Sequence, residues 1–472
     1  MSIDVPALTA VLDGRYAQVR ELVRRSLAEH SDVLLDAEQM STTQFRQRVL
    51  EMMRLIAGTG QAGYGFPQEY GGEGDVGAAV AAFETLGFGD LSVLTKVGVQ
   101  FGLFGGAILQ LGTKPHHDAY LADVIGAELL GCFAMTETGH GSNVQALATT
   151  ATYDPESLEF VIDTPDDAAR KDYIGGAAEH ASMAVVFAQL YVAGEGRGVH
   201  AFVVPIRDEH DEPAPGVRIE DCGEKIGMNG VDNGRLWFAG VRVPRQALLN
   251  RYAIVTEDGR YFSEIENPNR RFFTMLGTLI QGRVCVGGAA INATKVALTI
   301  AVRYALTRRQ FGPPGSDRED LLLDYGMHQR RLLQPLARSY ALHFAQERVA
   351  ADLHTVFSDS VQRPDRPRDS AESGESSESE ADAERTRRGL ESRAAAIKAL
   401  GTWHASRTIQ ECREACGGAG YLSVNRFAAL RADTDVFTTF EGDNHILLQL
   451  VAKGLLTDYS SGFNDLDQLG MV

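Results

Sequence analysis

A stretch of short β-branched and aromatic segments between two long helical regions is the feature that most restricts the fold of this sequence. Between residues 131 and 250 such segments alternate with turns, which is typical of β-strands. The runs at residues 149–153 and 159–162, separated by a turn around Pro155, predict a β-hairpin. We therefore predict a central β-barrel or sandwich.

Helical patterns occupy both flanks of this β region. Apolar residues recur at helical spacing through most of the first 130 residues and again beyond residue 270. The fold class that follows is α+β and multidomain. We expect an N-terminal helical domain (1–130), a central β domain (131–270) and a C-terminal helical bundle (271–472).

Two stretches depart from the regular helical patterns. Residues 98–107 are rich in glycine and apolar side chains, which predicts a closely packed helix. The alternative is that these small residues line a slot for an aliphatic chain. Residues 358–388 are rich in Ser, Glu and Arg and contain almost no apolar residue, so we predict a disordered acidic insert in the C-terminal bundle.

Composition excludes several classes of function. The net charge of −18 argues against a nucleic-acid surface, because phosphate binding requires clustered Lys and Arg. The five cysteines fit a reducing compartment, and they form no zinc-ligand pattern, so we expect no metal. We find no signal peptide, no apolar run of membrane-spanning length and no C-terminal peroxisomal address. These features predict a soluble cytoplasmic protein without membrane insertion.

A polar turn near the C-terminus contains the candidate catalytic residue, Glu441. The turn precedes an amphipathic helix predicted over residues 445–456, and Asp443 and Asn444 stand where a side chain can cap that helix. Glu441 lies between Phe440 and Gly442. A carboxylate beside an apolar ring has a raised pKa and can act as a general base. The alternative is an ordinary acid that complements the helix dipole.

Eight motifs, taken together and in order, resemble those of one enzyme family. They are residues 98–106, 136–142, 149–155, 200–206, 232–234, 308–312, 412–418 and 440–442. The chain resembles an acyl-CoA oxidase within the flavin-dependent acyl-CoA dehydrogenase superfamily. The resemblance spans nearly the whole chain, and it implies an acyl-CoA dehydrogenase-like fold, FAD as cofactor and an acyl-CoA as substrate.

The resemblance also implies the roles of individual residues. Glu441 would be the catalytic base, and Ser142 and Arg283 would contact the substrate. Arg308 would meet the FAD pyrophosphate across a subunit interface, which implies a homodimer or a higher homo-oligomer. Tyr and Ile replace the Trp and Pro that oxidases carry before Gly175. The residues implied to bind the cofactor are Thr136, Thr138, Gly175, Arg308, Phe311, Gly417, Gly418, Gly442 and Asn444.

The reaction implied by the resemblance is the first step of fatty-acid β-oxidation. Glu441 would remove the α proton of the acyl thioester while the β hydrogen leaves as hydride to the flavin, giving a trans-2-enoyl-CoA. In an oxidase the electrons then pass to O2 and form hydrogen peroxide. One alternative is a dehydrogenase that passes its electrons to a flavoprotein carrier.

A second alternative is an inactive scaffold that pairs with a full-length homologue. Oxidases of this family usually continue beyond the glutamate into a further helical domain, whereas this chain stops soon after Glu441. Glu441, Arg308 and the Gly417–Gly418 pair are nevertheless present, which favours an active enzyme.

Overall fold

The computed structural model of the protein describes residues 3–31, 33, 37–277, 280–362 and 377–464. The chain begins with helices, continues through a β region and ends in a second set of helices. This order confirms the predicted fold class, because each region follows its own hydrophobic period.

Seven α-helices lie in the described residues of the N-terminal part. Their bounds are α1 Val5–Asp13, α2 Ala17–Glu29, α3 Thr42–Gly58, α4 Val76–Leu86, α5 Leu91–Val97, α6 Gly106–Leu111 and α7 Lys114–Ile125. Several begin at a capping side chain: the Asp75 carboxylate accepts a hydrogen bond from the Ala78 N–H, and the Asp90 carboxylate accepts from the Ser92 N–H. These caps satisfy N–H groups that the helix itself leaves unpaired.

A π-helical segment, Gly98–Gly105, joins α5 to α6. Two of its glycines pack closely, since a Cβ at Gly98 would lie 2.9 Å from the Phe83 ring and one at Gly105 would lie 2.9 Å from Phe66. Gly102 differs, because no atom lies within 4 Å of the position its Cβ would take. The prediction of a closely packed helix is therefore correct for Gly98 and Gly105 but not for Gly102.

The β region contains eleven strands. They are β1 Gly131–Ala134, β2 Thr150–Asp154, β3 Glu159–Asp163, β4 Lys171–Gly175, β5 Met183–Val192, β6 Glu195–Pro205, β7 Val217–Asp221, β8 Asn233–Phe238, β9 Val241–Pro244, β10 Ile254–Val255 and β11 Tyr261–Phe262. The antiparallel pair β2–β3, with Thr150 opposite Asp163, is the predicted hairpin.

Two sheets share one hydrophobic core in this region. The larger has six strands in the order β1-β5-β2-β3-β9, with β6 paired to β5, and the smaller has the order β4-β8-β7. Phe160 and Phe202 of the larger sheet belong to the same buried cluster as Leu236 and Phe238 of the smaller sheet. Residues of β8 alternate between buried and half-buried positions, as expected for a strand with one face on a core.

Within the ranges that the structure describes, six α-helices follow the β region. They are α8 Pro268–Leu276, α9 Ile280–Ala305, α10 Gly326–Gln362, α11 Ser377–Ala415, α12 Phe427–Val436 and α13 Asn444–Asn464. The helices α9 and α11 approach closely through small residues. A Cβ at Gly287 would lie 3.3 Å from the main-chain nitrogen of Lys398, and a Cβ at Gly401 would lie 3.2 Å from the main-chain oxygen of Gly287.

The ends of α9 and α11 lie at the same end of the bundle. The chain returns to the C-terminal end of α9 before α10 begins. This return is shown by the hydrogen bond from the Leu322 N–H to the Arg308 carbonyl. Near the start of α10, Arg331 pairs with Glu411, which is close to the end of α11. The C-terminal ends of α9 and α11 are therefore neighbours.

The predicted disordered insert over residues 358–388 is too long. The helix α10 extends to Gln362 and α11 begins at Ser377, whereas residues 363–376 lie outside the described residues. The helix extends through this charged sequence because Glu, Ala and Arg are strong helix formers, and acidic residues are favourable in the first turn of α11.

The expectation that no apolar run reaches membrane-spanning length is wrong. Among the described residues, two segments pass that test by length and composition, namely Leu91–Leu111 and Pro268–Ala305. Their most apolar windows are 72% and 78% buried inside the protein. Burial of this extent is the pattern of core helices, which are apolar because they pack against other helices.

A buried ion pair anchors the loop that follows β1. Lys171 is fully buried in β4, and its Nζ lies 3.0 Å from Glu137 Oε1. Burial lowers the pKa of Lys171 to about 8, against the opposing charge of Glu137. The Glu137 carboxylate also accepts hydrogen bonds from the N–H groups of Ala148 and Thr149. The pair thus ties the loop to β2 and β4.

We expect Lys171→Met to destabilise the protein by about 3–5 kcal/mol, because it leaves the Glu137 charge buried without its partner. Urea unfolding monitored by circular dichroism measures the change. The matched control is Lys114→Met, which removes the exposed pair with Asp118 and should leave stability unchanged. Equal stability of both variants would contradict this account of the loop.

We also expect Gly131→Ala to disrupt the contact between β1 and the π-helical segment. A Cβ there would lie 2.2 Å from the buried Phe104 ring, and the Gly131 N–H donates to Gln100 Oε1 at 2.9 Å. Overpacking of this kind typically costs about 1–3 kcal/mol. Gly58→Ala is the control, since no atom lies within 4 Å of that Cβ and alanine is favourable in a helix. A melting temperature for Gly131→Ala equal to that of the control would overturn the prediction.

Candidate active site

Glu441 lies in a left-handed turn that joins α12 to α13. The φ angle is +56° at Glu441 and +99° at Gly442. This conformation is unfavourable for a residue with a side chain, so its surroundings must hold it in place. The Asp443 carboxylate accepts a hydrogen bond from the His445 N–H at 2.9 Å and so caps α13, as predicted.

The Glu441 carboxylate is seated against the backbone of α9. A Cβ at Gly282 would lie 2.6 Å from Glu441 Oε2, so this position accommodates the carboxylate only because it has no side chain. The next residue, Arg283, directs its Nε toward the main-chain oxygen of Glu441 at 3.4 Å. The structure therefore brings together two of the predicted site residues, Glu441 and Arg283.

Burial shifts the pKa values of both residues. Desolvation raises the pKa of Glu441 above its ordinary value, against the opposing charges of Arg283 and Lys398. Burial likewise lowers the pKa of Arg283. A desolvated carboxylate with a raised pKa can take up a proton, which is the chemical requirement for a general base. Because the carboxylate is directed at α9, an ordinary helix-dipole role explains the geometry less well.

A buried lysine that the sequence analysis missed supports the same turn. Lys398 Nζ donates to the Gly442 oxygen at 2.6 Å and to Asn444 Oδ1 at 3.0 Å. The Asn444 side-chain nitrogen then donates to Thr402 Oγ1 at 2.9 Å. A possible signal in the sequence was the single charge within the apolar stretch 394–400. Asn444 and Gly442 thus belong to a hydrogen-bond network with Lys398. Their contact with a cofactor stays a prediction.

The predicted flavin-binding loop meets the smaller sheet. The Thr136 oxygen accepts from the Asp172 N–H at 3.0 Å, and the Thr138 hydroxyl lies 2.9 Å from Asp172 Oδ2. Asp172 belongs to β4, which ends at Gly175. Thr136 and Thr138 thus contact the strand that ends at Gly175, and Ser142 is exposed on the same loop.

Four of the predicted cofactor residues lie at the far end of the bundle from Glu441. Arg308 and Phe311 are exposed in the loop after α9, and Gly417 and Gly418 are exposed directly after α11. The length of α9 from Gly282 to its last residue is about 35 Å at 1.5 Å per residue. Within a single chain, these four residues are therefore far from the candidate base.

Domain models of one enzyme superfamily match the three parts of the chain. The acyl-CoA dehydrogenase N-terminal domain matches residues 15–128, and its middle domain matches residues 132–241. The acyl-CoA oxidase C-alpha1 domain matches residues 276–456.

Individual proteins agree with these domain matches. The peroxisomal acyl-coenzyme A oxidase 3 of Arabidopsis thaliana is 45% identical over 382 residues, which cover 81% of this chain and 53% of that protein. The solved acyl-CoA oxidase 1 of Yarrowia lipolytica is 33% identical with a TM-score of 0.86, and the match covers 99% of this chain and 66% of that one. The acyl-CoA oxidase 1 of Caenorhabditis elegans, solved with FAD and ATP, is 26% identical with a TM-score of 0.77, over 98% of this chain and 65% of that one.

These comparisons correct one prediction and establish the family. The chain spans about half to two thirds of the length of these relatives. The predicted cytoplasmic location is wrong, because the Arabidopsis relative is named peroxisomal; cysteine content reports only a reducing environment and cannot distinguish the two compartments. Matches in all three parts of the chain, in the same order as the observed helix, β and helix regions, show that it belongs to the acyl-CoA oxidase family of the acyl-CoA dehydrogenase superfamily.

Proposed function

We propose that this protein is an FAD-dependent acyl-CoA oxidase of fatty-acid β-oxidation. It would convert an acyl-CoA and O2 into a trans-2-enoyl-CoA and hydrogen peroxide. The observation that carries the proposal is the Glu441 carboxylate, held against Gly282 with a raised pKa. The oxidase domain that matches residues 276–456 favours O2 over a flavoprotein carrier as the electron acceptor. It also favours an enzyme over an inactive scaffold.

The exposed groups of the chain fit the chemistry of FAD. Arg308 is exposed in the loop after α9, so its guanidinium is available to a pyrophosphate. No atom lies within 4 Å of the positions that Cβ atoms would take at Gly417 and Gly418, which leaves their backbone open to a flat ligand. When bound, FAD supplies the acceptor for the hydride and returns the electrons to O2.

The residues of the chain supply the proton chemistry. The Glu441 carboxylate would take the α proton, whose acidity rises when the thioester oxygen receives hydrogen bonds in a dry site. Arg283 lies beside the base, and Ser142 is exposed on the loop after β1; we propose that both contact the acyl-CoA. Since only ionised Glu441 can accept a proton, flavin reduction should rise with pH through the raised pKa of Glu441.

We further propose a homodimer in which Arg308 serves the cofactor of the neighbouring subunit. Arg308 lies at the opposite end of α9 from Glu441, too far to reach the same flavin within one chain. Large apolar side chains are exposed near that end, among them Phe311 (77%), Tyr421 (84%) and Val424 (77%). Exposed apolar side chains of this size are typical of protein–protein interfaces, which supports the proposed dimer. Light scattering of the FAD-loaded protein should give at least a dimer, and a fully loaded monomer would contradict the proposal.

We also propose three domains, 1–130, 131–270 and 271–472, and a protein that binds neither nucleic acid nor a membrane. The net charge of −18 supports the first exclusion. Burial of the two apolar helical segments within the protein supports the second.

Replacing the base tests the proposed reaction. The protein should purify with FAD, and the wild type should lose flavin absorbance when a saturated acyl-CoA is added without oxygen. Glu441→Gln keeps the shape but removes the basicity, so flavin reduction should slow by about a hundredfold to ten-thousandfold. The variant should still bind FAD, and its flavin spectrum should still change on addition of acyl-CoA.

The matched control is Asp443→Asn, which removes a carboxylate from the same turn and keeps a residue that can cap α13. Its rate of flavin reduction should stay close to that of the wild type. Equal rates in Glu441→Gln and the wild type would mean that another residue is the base. A preparation that gains no flavin absorbance when FAD is added would refute the proposal that the protein is an FAD-dependent enzyme.

A further inference from the structure

Lys398 is a charged residue where packing alone would favour an apolar one. Lys398 belongs to α11, where it lies in the sequence between the buried residues Ile397 and Ala399, and its side chain is fully buried. A charge in such a place is costly unless hydrogen bonds compensate it. The two oxygens that accept its hydrogen bonds lie at the Glu441 turn: the main-chain oxygen of Gly442 within the turn and the side-chain oxygen of Asn444 at the start of α13.

We propose that Lys398 is a positioning residue for Glu441: by holding the Gly442 carbonyl and the Asn444 side chain, it keeps the left-handed turn in the conformation that seats the carboxylate against Gly282. This inference rests on the proposed function of Glu441 as the base. Lys398 itself touches no substrate in this account.

The geometry supports this role in two ways. The turn contains two consecutive residues with positive φ, Glu441 and Gly442, and the first of these is unfavourable for a residue with a side chain. A Cβ at Gly442 would lie 2.9 Å from the Leu447 side chain, so the turn also packs tightly against α13. Lys398 donates to the carbonyl of Gly442, the residue after Glu441. This hydrogen bond restrains the backbone angles of the turn and therefore the direction of the Glu441 carboxylate.

The network is anchored on α11 at both ends. Asn444 accepts from Lys398 and donates to Thr402, one helical turn further along. The Thr402 hydroxyl lies 2.8 Å from the main-chain oxygen of Lys398. Without the ammonium group, the Gly442 oxygen and Asn444 Oδ1 would each lose a charged donor in a buried place.

Lys398 also contributes charge to the site. Within the described residues, the charged and titratable groups that act on Glu441 or on its two neighbouring cations are Arg283 and Cys285 of α9, Glu391 and Lys398 of α11 and Asp443 of the turn itself. Burial lowers the pKa of Lys398 to about 8, so its charge is present at neutral pH and is lost as the pH rises through that value. The cation favours the ionised form of Glu441, and its removal should raise the pKa of that residue.

The test compares Lys398→Met with Lys295→Met in the full-length, FAD-loaded protein. Lys295 of α9 is a matched control because burial also lowers its pKa to about 8, and its Nζ also donates to an asparagine, Asn292 Oδ1 at 2.8 Å. Lys295 faces His343 on α10 rather than the turn. Any effect common to both variants comes from the loss of a buried lysine and not from the position of Glu441.

We expect Lys398→Met to retain FAD and the spectral response to acyl-CoA, with anaerobic flavin reduction slowed by about a hundredfold. The midpoint of its rate–pH profile should move to higher pH, a shift that a merely structural role would not produce. Lys295→Met should keep both the rate and the midpoint. Equal rates and midpoints in Lys398→Met and the wild type would overturn the proposal, and so would a slower rate with an unchanged midpoint.

Hydrogen exchange separates failure of this inference from failure of the proposed function. The Asn444 N–H donates to the Thr438 oxygen at 3.1 Å, and its exchange should be at least about tenfold faster in Lys398→Met but unchanged in Lys295→Met. Unchanged exchange would refute the positioning role even if acyl-CoA is not the substrate. If Lys398→Met does not fold, Thr402→Val removes the next link in the network, and it should accelerate the same exchange; no acceleration there would also refute the role.

Discussion

The close approach of α9 and α11 is the constraint on which the candidate site depends. Gly287 and Gly401 allow the two backbones to meet, since side chains at these positions would crowd the facing helix. Once the helices are this close, Gly282 and Arg283 of α9 and Lys398 of α11 all reach the turn between α12 and α13. Glu441, the proposed base, is therefore held by tertiary packing around a strained turn, and rigid helices supply its support.

Buried cations secure the loop after β1 and the Glu441 turn by the same physical means. Lys171 ties the loop after β1 to the smaller sheet through Glu137, and Lys398 ties the Glu441 turn to α11. In each case the ammonium group has a lowered pKa because it is desolvated, and main-chain oxygens complete its hydrogen bonds. Removal of either cation leaves buried acceptors without a donor, so each lysine is more important to local order than a surface charge would be.

The proposed homodimer would account for the separation of the predicted cofactor residues. Arg308 and the Gly417–Gly418 pair follow α9 and α11, whose C-terminal ends are neighbours, while Glu441 lies at the other end. Two chains in opposite orientation would bring the two ends together. The exposed aromatic residues Phe311 and Tyr421 lie in the segments that such a contact would cover.

The sequence by itself determined the order of the helical and β regions, the β2–β3 hairpin, the cap at Asp443 and the place of Glu441 beside the start of a helix. These features depend on local periodicity and turn chemistry, which neighbouring residues encode. Several other features were decided only by the tertiary structure: the ends of α10 and α11 within the charged insert, the burial of the apolar helices, the carboxylate seat at Gly282 and the contacts of Lys398. They depend on residues far apart in the chain, such as Lys398 and Gly442, and no local pattern reports which distant side chains become neighbours when the helices pack.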